Sequence, residues 1–288
     1  MRCKREDGTL NKTHMKLTSS LTLLIALLCF CCTNTPEKDS SVLKEDQKKD
    51  EKAQAPQDTI IEIPDSVKLK IGLEKALELV SKHRHQPRFE MNFDSNFQDH
   101  SFLKLTINYG YYFSNKVKHL ILMRIVGTGT LHENRLDFYR ENAESELQPL
   151  LSDTAYGAFN GDTLIDVNLD GRKDYLTYWW NYSGCCPRDR CMVYLQKENG
   201  EITSKFEFMN PSFDEKKGVV RGFSYGQPED VSLYKERWKG YQLEPVEYIY
   251  RDENNPKILL REDGISSKIT QLKTLPKEYL EFDWFNYQ

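Results

Sequence analysis

The sequence predicts a mainly β fold, built of antiparallel sheets in a sandwich-like or propeller-like arrangement with one short N-terminal helix. Three observations predict it. Short runs rich in β-branched and aromatic residues recur at close spacing through the second and third hundred residues. Turn-forming residues separate them, at Asn115-Lys116, Asn199-Gly200, Lys239-Gly240 and Asn254-Asn255-Pro256. Helical spacing is confined to Leu73, Ala76, Leu77 and Val80, which predicts one amphipathic helix over residues 72–82.

The 288 residues suffice for one large or two small domains, and 39% hydrophobic with 12% aromatic content supplies a core. Net charge is −4, with both signs dispersed and no basic cluster interleaved with aromatics, which excludes a nucleic-acid-binding surface. Residues 1–32 read as an upstream stretch followed by an export signal. Met15-Lys16 is a basic start, residues 17–28 are an apolar run too short to span a bilayer, and the run closes on Cys29-Phe30-Cys31-Cys32. That arrangement resembles a bacterial lipoprotein signal, in which a cysteine becomes the lipidated first residue. Cys32 is the first choice, because the small Cys31 precedes it, and Cys31 is the second. A plain secretory signal or an uncleaved anchor is the alternative. The expected location is the bacterial cell envelope, lipid-anchored, with the outer membrane first. Residues 1–14 precede the natural start Met15 and read as an over-extended reading frame.

Residues 33–58 are Lys, Glu, Asp, Gln and Ser with almost no large apolar side chain, the composition of a disordered linker. Residues 59–150 read as an N-terminal β-rich region, with strands at 101–109, 117–126 and 135–139 and a helical turn over 142–151. Residues 151–288 read as a second β domain, with strands at 162–165, 175–180, 192–196, 202–208, 218–225, 232–238, 241–250 and 258–261.

The second domain contains the most informative stretch, Asp166-Val167-Asn168-Leu169-Asp170-Gly171-Arg172-Lys173-Asp174. It reads D-x-N-x-D-G-x-x-D, the oxygen-ligand spacing of a calcium loop, with a glycine for the sharp turn and hard oxygens for a hard cation. Asp166, Asn168 and Asp170 offer side-chain oxygens, Arg172 its backbone carbonyl, and Asp174 a carboxylate directly or through water. An EF-hand needs a bidentate Glu in the twelfth place, which is Thr177. With β-prone flanks on both sides, the expectation is a strand–loop–strand Ca²⁺ site. The alternative is an acidic hairpin turn without metal.

Cys185, Cys186 and Cys191 follow the Trp179-Trp180 strand. In an exported protein a disulfide is expected: Cys186–Cys191, Cys185–Cys191, or the vicinal Cys185–Cys186. Free thiols are the alternative, and zinc lacks both paired spacing and a nearby His. Enzyme signals are weak. Gly222-Phe223-Ser224-Tyr225-Gly226 matches G-x-S-x-G, but no histidine follows it and its flanks are β-like. Gly127-Thr128-Gly129 has His132 where a dinucleotide loop needs its third glycine. His83 and His85 read as solvated surface. No catalytic residue is assigned, and the chain is read as a non-enzyme. Trp179 and Trp180, as strand neighbours, face opposite sides, so at least one of them packs inside.

The loop, the aromatic strand after it, Ser183-Gly184-Cys185-Cys186-Pro187-Arg188 and Val193-Tyr194-Leu195 together resemble a family of bacterial lipoproteins carrying a VCBS/FG-GAP-like calcium loop, common in Bacteroidetes-type and some proteobacterial genomes. Asn210-Pro211-Ser212-Phe213-Asp214 and residues 234–243 extend the resemblance, which covers roughly residues 162–250. Members usually carry an aromatic residue where Arg172 stands, and Cys191 lies outside the pattern. The resemblance implies a calcium-binding envelope lipoprotein that acts as a binding module for a protein or glycan. A related branch resembles periplasmic inhibitors of lysozyme-type peptidoglycan hydrolases, acting as immunity proteins, and implies that alternative. A glycan-acting enzyme is the third.

Overall fold

The computed structural model describes residues 62–129, 131–180, 189–225 and 231–282. The lipidation candidates Cys31 and Cys32 and the disulfide candidates Cys185 and Cys186 lie outside them. Among the described residues no helix is long and apolar enough to cross a membrane.

The chain is mainly β, with helix α1 (Asp65–His83) followed by three antiparallel sheets in chain order. The first is a five-stranded meander of β1 (Arg88–Asn96), β2 (Phe102–Gly110), β3 (His119–Thr128), β4 (Leu131–Glu141) and β5 (Leu147–Ala155). The second holds β6 (Ala158–Ile165), β7 (Asp174–Trp180), β8 (Asp189–Tyr194) and β9 (Phe206–Met209). The third holds β10 (Ser212–Asp214), β11 (Val219–Tyr225), β12 (Val231–Lys239), β13 (Gln242–Arg251), β14 (Leu259–Asp263) and β15 (Ile269–Leu272), before a short 3₁₀ turn at Lys277–Tyr279. Every neighbouring strand is also the next in sequence, as short hairpin connections require.

Period-two alternation decides which core each side chain enters. On β3, Leu120 and Leu122 face Leu69, Ala76 and Val80 of α1. Ile121 and Met123 point the other way, towards Tyr175, Met192 and Tyr194 of the second sheet. On β8, Met192 and Tyr194 join that core, while Cys191 and Val193 face Val220, Tyr234 and Trp238 of the third sheet. The far face of the third sheet, Phe223, Leu233 and Ile249, is closed by Tyr279 and Phe282. Helix, three sheets and C-terminal segment therefore form a layered, sandwich-like stack. Gly72 lets α1 approach β2 closely, since a Cβ there would stand 2.9 Å from the Leu103 Cδ1.

Local pattern misplaced several elements. The helix extends back to Asp65, because the buried Lys68 and Leu69 add a further turn that packs on the sheet. The expected helical turn at 142–151 is a tight turn followed by β5. Asn142 Oδ1 accepts the Glu146 N–H at 2.7 Å, and the chain then pairs with β4 through a bulge at Phe138/Tyr139. Strand β1 was not expected, although Phe89, Met91 and Phe93 alternate with polar residues; it pairs with β2 along its whole length and turns those three side chains towards the α1 core. Strand β5 runs through residue 150, and Phe138 before it packs on Tyr175 and Tyr194 after it.

The β5–β6 turn is held from inside. The buried Asn134 donates from Nδ2 to the carbonyls of Ala155 (3.2 Å) and Gly157 (2.9 Å). Gly157 has φ +110°, and a Cβ there would stand 2.3 Å from the Trp180 carbonyl oxygen. Gly157→Ala is expected to cost roughly 2–4 kcal/mol through backbone strain and steric displacement of β7. Denaturant midpoints measure this, and a change under about 0.5 kcal/mol would contradict it.

Candidate metal centre

The nine-residue stretch is the connection of the β6–β7 hairpin, closed by the pair Ile165↔Asp174, so the loop does sit between two strands. Two residues take positive φ, Leu169 (+63°) and Gly171 (+83°), and these curl the chain back on itself. Glycine carries this without strain, whereas Leu169 does so at a cost. Its side chain lies against Gly218, where an added Cβ would be 3.4 Å from the Leu169 Cδ1.

The curl turns the loop's oxygens onto its own amides. Asp166 accepts the N–H groups of Asp170 (3.2 Å) and Gly171 (2.8 Å). Asn168 Oδ1 accepts the Asp170 N–H at 3.3 Å, while its Nδ2 donates to the Gly240 carbonyl (3.2 Å) and to Asp170 Oδ2 (3.1 Å). Asp170 Oδ1 accepts the Arg172 N–H at 2.9 Å, and Oδ2 pairs with the Arg172 guanidinium at 2.6 Å. That guanidinium also donates to the Tyr241 hydroxyl (3.0 Å) and, through Nε, to the Gln196 carbonyl (3.3 Å).

Asp174 is the inner end of the site and is fully buried. Its two oxygens accept one backbone N–H each, from Val167 and from Gln196, both at 3.0 Å. Burial pushes its pKa up to about 7; the two N–H groups oppose the shift, and the Asp170 and Asp166 carboxylates add to it. A buried carboxylate that feels the charges of two others is the electrostatic situation that a bound cation relieves.

The donor chemistry of Asp166, Asn168, Asp170, Asp174 and the Arg172 carbonyl therefore fits a hard cation. In the arrangement seen, the carboxylates are occupied by amides and by Arg172. Among the described residues no three His, Cys, Asp or Glu side chains form a group that holds a metal ion as they stand. Gln196, Gly240 and Tyr241 complete the surroundings of the loop. In the sequence Gly240 stands only as a turn residue, and Gln196 and Tyr241 only as ends of the expected strands 192–196 and 241–250.

The other candidates fall elsewhere. Cys191 is a free, fully buried thiol in the core between the second and third sheets, not a disulfide half. Burial raises its pKa well above the usual thiol range. Ser224 lies within β11 and bonds across to Ser232 of β12, so the serine sits in a sheet strand and not at a strand-to-helix elbow. His83 stacks on Phe89 at 4.2 Å, a packing role. Trp179 is fully buried, with its indole N–H donating to Thr177 Oγ1 at 2.9 Å, whereas its neighbour Trp180 is exposed.

No protein-family model and no curated protein matches the chain. Among solved structures it is similar to a Xanthomonas type IV secretion system related protein, with a TM-score of 0.30 and 12% identity over 64% of this chain and 93% of that one. Similarity of that degree says nothing further about fold or activity.

Proposed function

We propose that this chain is a calcium-binding, lipid-anchored cell-envelope protein whose β body is a binding module for a protein or glycan. The observation that carries the calcium reading is Asp174, a fully buried carboxylate at the end of the loop whose pKa is raised by burial and further by the charges of Asp170 and Asp166. A divalent ion offsets their mutual repulsion and ties β6–β7 to Gln196, two residues past the end of β8, whose N–H already donates to Asp174. The ion itself supplies no chemistry here beyond charge and rigidity. The envelope reading is supported by the basic start, apolar run and closing cysteines of residues 15–32, with the polar tether after them.

Isothermal titration calorimetry of the full chain tests the calcium reading. Binding with a Kd on the order of 0.1–1 mM is expected, the range of extracellular calcium modules. Asp170→Ala, which deletes one ligand, is expected to weaken it by at least about tenfold. No heat with calcium at about 5 mM would overturn the reading.

A further inference from the structure

We infer that Arg172 is a built-in competitor of the metal: its guanidinium occupies Asp170 when calcium is absent and yields that carboxylate when calcium binds. The inference rests on the calcium reading and concerns how the same site is regulated.

Of the three loop aspartates, Asp170 alone is engaged by a cationic side chain of the loop, at 2.6 Å. The pair is partly shielded, with Asp170 17% and Arg172 30% exposed at the side chain, so solvent screens it only in part. A guanidinium on Asp170 and a calcium ion on Asp170 are alternatives, because both need the same carboxylate lone pairs. The exchange also leaves Arg172 with partners. Its Nε is held by the Gln196 carbonyl and its Nη2 by the Tyr241 hydroxyl, so release from Asp170 does not strand a buried cation. Tyr241 in turn accepts the Glu198 N–H at 3.1 Å and lines an open groove of about 370 Å³ with Lys197, Glu198 and Asn199. The guanidinium therefore bridges the loop, the segment after β8 and the β12–β13 turn. It keeps a charge-balanced loop in shape without metal, and it lowers calcium affinity in doing so.

The test is calorimetric titration of calcium into the full-length wild type and Arg172→Gln, which keeps the backbone carbonyl and removes the charge. The variant is expected to bind roughly tenfold tighter, the equivalent of one charge-assisted hydrogen bond no longer displaced. An equal or weaker affinity overturns the inference and leaves the calcium reading standing. No heat from either protein overturns both. If the variant does not fold, the wild type still answers: the Arg172 Nη2–H resonances, which report the contact with Asp170, are expected to shift with the same midpoint as the calorimetric binding curve. A resonance unmoved at calcium saturation overturns the inference.

Discussion

Asp174→Asn is expected to abolish calcium binding and to change the pH dependence of stability in a defined direction. The folded-state pKa of Asp174 is near 7 and the unfolded value near 3.9. Between those values the folded chain keeps a proton that the unfolded chain has lost. This contribution to stability therefore falls as pH rises from about 4 to about 7, by an amount on the order of 3–4 kcal/mol, and is flat above. His119 acts in the opposite sense. Burial, with Arg140 nearby, lowers its pKa to about 4, so its contribution is lost as pH falls from about 6.5 towards 4. The two partly cancel in the wild type, and the difference between wild type and variant isolates Asp174. Without calcium, the melting temperature of the variant relative to wild type is expected to rise from pH 5 to pH 8. With calcium at pH 8, only the wild type is expected to gain. A variant-minus-wild-type difference that stays constant across this range would remove the electrostatic argument.

Asp137→Ala is expected to destabilise the fold by about 3–5 kcal/mol, because it leaves the buried Arg124 uncompensated. Arg124 Nε and Nη2 pair with Asp137 Oδ2 at 2.8 and 2.6 Å, while Nη1 donates to the Leu69 carbonyl at 2.6 Å. Asp137 is held in addition by the Ser152 hydroxyl. The guanidinium thus ties α1, through its backbone, to β3 and β4. The double variant Arg124→Met with Asp137→Leu is expected to lose less than Asp137→Ala alone, since both charges leave together and apolar volume replaces them. Denaturant titrations of the singles and the double measure this. A double-variant loss equal to the sum of the singles would show that the pair does not act as a unit.

Strands such as β2, β3, β11 and β12 were legible because alternation and turn chemistry are local properties of the chain. Strand β1 was not marked, although Phe89, Met91 and Phe93 alternate with polar residues along it; the alternation spans only three apolar places on a half-exposed edge strand, which is held by pairing with β2 and by packing of those three side chains under α1. The segment 142–151 was misread because its turn is made by Asn142 and Glu146, and only pairing with β4 makes the rest extended. Cys191 invited a disulfide from compartment logic, which knows nothing of the face of β8 on which it lies.

By itself the sequence determined that residues 166–174 form an oxygen-rich turn between two strands, and that Trp179 and Trp180 divide between core and solvent. Both follow from short-range spacing: period two along a strand, and side chains at alternate places in a turn. Only the tertiary structure decided which oxygens the turn has available. Asp174 is committed to Gln196, 22 residues away, and Asn168 to Gly240, 72 residues away. The guanidinium of Arg172 lies on Asp170 because Gln196 and Tyr241 hold its other side. Those contacts arise when sheets distant in sequence stack on one another, and no local pattern encodes them.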